Sequence, residues 1–161
     1  MKILGIDPGI GICGFGLIEV GETAKADAKL LDYGVVTTPI NSPLPGRLKE
    51  LYESLREVFV QTKPDVVSVE KLFFSKNITT GIAVAEARGI VLLVAEQNQV
   101  PVFEYTPNEI KKTLTGYGSA TKPQMQEMVK LHLGLKEKPK PDDAADALAA
   151  AITYSLMTKM V

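Results

Sequence analysis

Ile3, Leu4 and Ile6 form a short apolar run that stops at Asp7, where Pro8-Gly9 breaks it. The run predicts a strand over residues 1–6 with Asp7 at its end and a turn behind it. Two further β-rich segments, near 13–20 and 29–38, follow at short intervals with glycines between them, which predicts antiparallel hairpins. After Pro43 and Pro45 the period changes. Leu48, Leu51, Tyr52, Leu55, Val58 and Phe59 recur at helical spacing and predict a helix from 46 to 62. Lys63-Pro64-Asp65 ends it, and Val66, Val67 and Val69 then make a buried strand that closes on Glu70. A helix over 80–97 and a strand over 102–105 come next. Helices opened by Pro107, Pro123 and Pro141 run to about 115, 133 and 157. The order β-β-β-α-β-α-β followed by helices predicts an α/β fold, a mixed five-stranded sheet flanked by helices. No repeat, low-complexity stretch or linker interrupts the 161 residues, so one domain over 1–161 is expected.

Composition narrows this picture. Apolar residues make up 45% and charged residues 23%, a globular balance. No apolar stretch is long enough for a membrane span, so no membrane partner is expected. Asp7 and Pro8 interrupt the N-terminal run too early for a signal peptide. Cys13 is the single cysteine, with no Cys/His cluster suited to zinc, and a reducing, cytoplasmic setting is expected. A formal charge of -1 argues against nucleic acid as a partner, but the distribution argues for it. Between Glu109 and Lys140 seven lysines stand against three glutamates, enough for a local phosphate footprint or, equally, for a solvated helical surface.

Three carboxylates stand out against this pattern. Asp7 and Glu70 each close an apolar strand, where an acid sits at the sheet rim. Either alone reads as turn chemistry, but two in one small sheet point to a ligand site, because ligands gather at such rims. Asp142 and Asp143 open an alanine-rich helix, where they suit the cap and the dipole. That account fails for Asp146, whose neighbours are all small or apolar. Helix spacing lets Asp146 share a face with either Asp142 or Asp143. The alanines allow the helix to lie close to the sheet and to bring these acids to Asp7 and Glu70. Clustered carboxylates repel one another unless cations bind between them. Oxygen ligands without His or Cys suit Mg²⁺, with Mn²⁺ able to substitute. Two such ions per site hydrolyse phosphodiesters.

These residues resemble the RuvC-type Holliday junction resolvases. The likeness runs in order through Gly5-Ile6-Asp7-Pro8-Gly9, Val69-Glu70-Lys71-Leu72-Phe73 with Lys76-Asn77, and Glu86-Ala87-Arg88-Gly89. It continues through Pro101 to Tyr105, Gly118-Ser119-Ala120 with Lys122, and Asp143-Ala144-Ala145-Asp146-Ala147-Leu148-Ala149. The resemblance implies an RNase H-like fold, a homodimer, a four-way DNA junction as substrate, divalent-metal dependence and paired symmetric nicks. The RuvA and RuvB branch-migration proteins are the implied partners. Its catalytic and metal-binding acids fall on Asp7, Glu70, Asp143 and Asp146, the family register selecting Asp143 and leaving Asp142 as a cap. Its basic positions near DNA fall on Lys111 and Lys122, and its base-stacking aromatic on Phe73, beside Lys76. Tyr117, in a glycine-rich segment flanked by lysines, is a further candidate for touching sugar or base.

From Ile82 to Ala95 only Glu86 and Arg88 are charged, so this helix is apolar nearly all round. The sheet covers one side, and either the protein core or a partner subunit covers the other. His132, among leucines, and Cys13 read as structural. Three rival functions remain. An actin-like or sugar-kinase phosphate lobe needs a second lobe for which 161 residues leave no room. An RNase H-type nuclease for RNA-DNA hybrids shares the fold, and a non-catalytic DNA-binding module would not need four spaced acids.

Overall fold

The structure is a computed structural model that describes residues 1–21, 28–71 and 78–158, with 78–80 described by their backbone alone. Strands β1 (Lys2–Asp7), β2 (Ile12–Glu19) and β3 (Lys29–Thr37) are followed by α1 (Leu44–Thr62), β4 (Val66–Glu70), α2 (Ile78–Gln97) and β5 (Val102–Tyr105). Three helices close the order: α3 (Pro107–Thr115), α4 (Lys122–His132) and α5 (Asp142–Thr158). Every expected element is present. The helix starts at Leu44, Lys122 and Asp142 differ by a residue or two from those expected. Proline's fixed φ suits any position in the first turn or just before it, so it marks a helix start only to within a residue or two.

The sheet order is β3-β2-β1-β4-β5. The first three strands form antiparallel hairpins, and β4 and β5 add in parallel through the crossovers α1 and α2. Strand alternation divides the core into two faces. Leu4, Ile6, Leu17 and Val67 pack against α1 and α2, while Ile3, Ile18 and Val66 pack against α5 with α3 and α4 outside it.

The helix α5 is buried along nearly its whole length, with Leu148 and Ile152 at 0% and 1% exposure. Burying each such side chain stabilises the fold by about 1.5–3 kcal/mol. It lies unusually close to the sheet. Gly5 of β1 and Gly16 of β2 are register partners, side by side beneath it. A Cβ on Gly5 would fall 1.9 Å from the Ala147 carbonyl oxygen, and one on Gly14 would fall 2.0 Å from that of Asp143. The alanines of α5 were legible as a close-packing face, whereas the glycine trough that receives them was not anticipated. Its signal lay in the alternation of Gly14 and Gly16 within one strand. Among the described residues no helix is long and apolar enough to cross a membrane.

Candidate active site

Alternation along β1 and β4 decides where the rim acids point. Ile3 and Gly5 face α5, so Asp7, two residues on, faces it too. On β4, Val66 and Ser68 face α5, Ser68 donating its hydroxyl proton to the Ala150 carbonyl at 2.6 Å, and Glu70 follows the same side. The strands pair in parallel through Ile6 and Val69, so the two acids sit one step beyond that pair on neighbouring strands. The first turns of α5 descend onto this rim, carrying Asp143 and Asp146.

The carboxylates feel one another strongly. Burial, then the charges of Asp146, Glu70 and Asp143, push the Asp7 carboxyl up to about 7. Glu70 is raised by burial and by Asp146, against the opposing pull of Lys111. Asp146 is raised by burial and by Asp142 and Asp143, with Lys122 opposing. The two candidates of the Asp142-Asp143 doublet part company here. The charge of Asp143 is felt at Asp7, whereas Asp142 reaches α4, accepting a hydrogen bond from the Gln126 side-chain amide at 2.8 Å and pairing with Lys122 at 3.4 Å. The expectation that Asp142 is a cap is therefore corrected. It is the first residue of α5, and its carboxylate binds a neighbouring helix rather than its own N–H groups.

Lys122 also pairs with Asp146 at 3.3 Å. Partial desolvation works against its charge, but Asp146 and Asp142 outweigh it and hold the ammonium above the usual lysine range. A cleft of about 270 Å³ opens beside these groups, lined by Glu70, Lys111, Lys122 and Asp146 over Ile110, Met125 and Ala149. Both lysines expected near DNA thus line the carboxylate cleft itself. A capping box of Thr106 and Glu109 starts α3 and sets Lys111 on its cleft side.

Tyr117 is 45% exposed in the connection between α3 and α4 and is not part of the cleft lining. Phe73 and Lys76 lie outside the described residues. Cys13 is buried, and desolvation pushes its thiol up to about 12, which keeps it protonated as a structural residue. His132 ends α4, half-buried. Gln126 and the partnership of Asp142 with Lys122 were missed at the sequence level, because nothing local to either helix start names its neighbour.

The donor chemistry fits hard divalent cations. All four candidate acids offer oxygen only, and burial with the neighbouring carboxylates makes Asp7 hold its proton unusually tightly, against the pull of Lys122. Among the described residues no three acids close on a common point as a ready metal cage, and Lys122 supplies the countercharge at Asp146.

An RNase H-like sheet whose rim gathers carboxylates under a close-packed helix defines a class, the nucleases of that fold. The family model for crossover junction endodeoxyribonuclease RuvC matches residues 3–154, and the chain belongs to that family. The crossover junction endodeoxyribonuclease of Brevibacillus brevis is 50% identical over 155 residues, covering 96% of this chain and 92% of its own. A structure of Thermus thermophilus RuvC in complex with Holliday junction substrate superposes with a TM-score of 0.91 at 38% identity, over 99% of this chain and 96% of that one. The yeast mitochondrial Holliday junction resolvase Ydc2, at 16% identity and a TM-score of 0.68 over 98% of this chain and 81% of that one, shares the fold.

Proposed function

We propose that this chain is a junction-resolving endonuclease that cuts four-way DNA junctions by paired, symmetric phosphodiester hydrolysis. The observation that carries the reading is the meeting of Asp7, Glu70 and Asp146 at one sheet rim beside a lysine-lined cleft, in a member of this family. The Thermus thermophilus relative is described with a Holliday junction substrate, which favours the same substrate here over an RNA-DNA hybrid.

Asp7, Glu70, Asp143 and Asp146 would hold two Mg²⁺ ions, with Mn²⁺ able to replace them. Such ions, when bound, activate a water and stabilise the leaving oxygen of a phosphodiester. The chain's own residues do the rest. Asp7 and Glu70 are fixed by the strand register, and Asp143 and Asp146 by the seating of α5 on the glycine trough. Lys111 and Lys122 place positive charge where a phosphate would enter the cleft. Asp143 completes the set by the family register, and its charge is felt at Asp7.

Contacts of Phe73, Lys76 and Tyr117 with DNA, the RuvA and RuvB partners, a cytoplasmic location and a single nuclease domain over 1–161 belong to the same reading and rest on the family resemblance. A homodimer has support from α2, whose outward side leaves Ile82 52% and Leu93 47% exposed around Gly89. Two-fold symmetry would then set two identical sites on opposed strands.

The direct test is cleavage of a synthetic four-way junction with Mg²⁺ beside a linear duplex and an RNA-DNA hybrid. Only the junction should be cut, by symmetric nicks, and Asp7→Asn should abolish cutting while retaining junction binding. Equal cutting of the linear duplex would overturn the assignment.

A further inference from the structure

We propose that Asp142 is a positioning residue for Lys122, holding its ammonium at the cleft rim so that it does not occupy the cation side of Asp146. The inference rests on the metal-site reading above. It starts from two helix faces. Lys122 and Gln126 are four apart on α4, and Asp142 and Asp146 are four apart on α5, so each pair presents one side to the other helix. The cross-helix contacts are specific. Gln126 donates to one oxygen of Asp142 at 2.8 Å, and the other oxygen meets the Lys122 ammonium at 3.4 Å, while that ammonium also meets Asp146 at 3.3 Å. Asp142 is thus clamped from the far side and shares Lys122 with a site acid.

The placement of Lys122 is costly without such a partner. It is the first residue of α4, where the helix dipole disfavours a cation, and its long stem gives the ammonium many alternative positions. Asp142 differs from Asp143 in that its charge is felt at Asp146 but is not among those that raise Asp7. It faces α4, not the sheet rim. A cation on Asp146 would take one of the two partners of Lys122, and Asp142, retained by Gln126, keeps the ammonium beside the cleft. Without Asp142 the ammonium has Asp146 alone, and there it competes with the cation.

The test uses the full chain, Mn²⁺ as the probe and four variants: Asp142→Asn, Lys122→Met, the two combined, and Asp7→Asn. Mn²⁺ affinity is measured by calorimetry without DNA, and kcat and KM by junction cleavage with Mg²⁺. Asp142→Asn should weaken Mn²⁺ binding by about two- to fivefold, the range expected of a half-exposed ion pair, and less so at high salt. It should lower kcat with little change in KM. Lys122→Met should tighten Mn²⁺ binding, and adding Asp142→Asn to it should then change nothing. A loss of affinity of equal size in both backgrounds would make Asp142 a ligand or a purely structural residue and overturn the proposal, as would unchanged affinity and kcat in Asp142→Asn. Asp7→Asn separates the two readings. If it leaves Mn²⁺ affinity intact, the metal site itself fails; if it weakens binding while Asp142→Asn does not, only the positioning role fails.

Discussion

Asp7 keeps its proton up to about pH 7 because burial and three nearby carboxylates oppose its charge. In an unfolded chain it would titrate near 3.8. A carboxyl raised in the folded state favours the fold fully below the unfolded value, and that contribution is lost as pH rises through 7. The cation-free protein should therefore be less stable at pH 8 than its Asp7→Asn variant, by up to about 4 kcal/mol, or on the order of 10 °C in Tm. At pH 4 the two should melt together; coincident melting at pH 8 would refute the account. Protons and cations compete for the same oxygens. Mn²⁺ affinity measured by calorimetry should fall as pH drops below 7, approaching about tenfold per pH unit.

At the scale of elements, the seating of α5 decides whether there is a site at all. Gly5→Ala would set a Cβ against the Ala147 carbonyl oxygen and 2.9 Å from the Ala151 nitrogen, both backbone atoms that cannot rotate away. The helix must lift, at a cost of about 3 kcal/mol, and it carries Asp143 and Asp146 with it. Urea unfolding should show that loss, and the folded fraction should bind Mn²⁺ more weakly than the parent. Gly46→Ala serves as the contrast. Nothing lies within 4 Å of a Cβ there, and a helical alanine should stabilise the chain by about 0.5–1 kcal/mol.

At the scale of the whole molecule, α2 shows apolar side chains on the side away from the core. Ala87, Val91, Val94 and Ala95 are buried in the core shared with α1 and the sheet, so the core claims one side, yet Ile82 and Leu93 remain open on the other. Leu93→Asp should convert a dimer to a monomer in equilibrium sedimentation while leaving the melting of the monomer and its Mn²⁺ binding close to the parent's. A parent chain that sediments as a monomer at working concentration would remove the dimer from the proposal.

The amino-acid sequence by itself determined the element order, the two strand-end acids and the oddity of Asp146, because hydrophobic period and a charge among alanines are local properties. It also carried the family likeness, motif by motif. Helix spacing by itself left open the choice between Asp142 and Asp143, since both lie in one helical turn and both suit a helix start. The family register favoured Asp143, and the tertiary structure added what no register carries: the charge of Asp143 is felt at Asp7, while Asp142 is engaged by Lys122 and Gln126 of a neighbouring helix. The same holds for the trough of Gly5, Gly14 and Gly16, which matters only because β1 and β2 pair in a register that sets it beneath α5. Partners across a fold depend on how helices and strands are stacked, and no pattern within a single element encodes that.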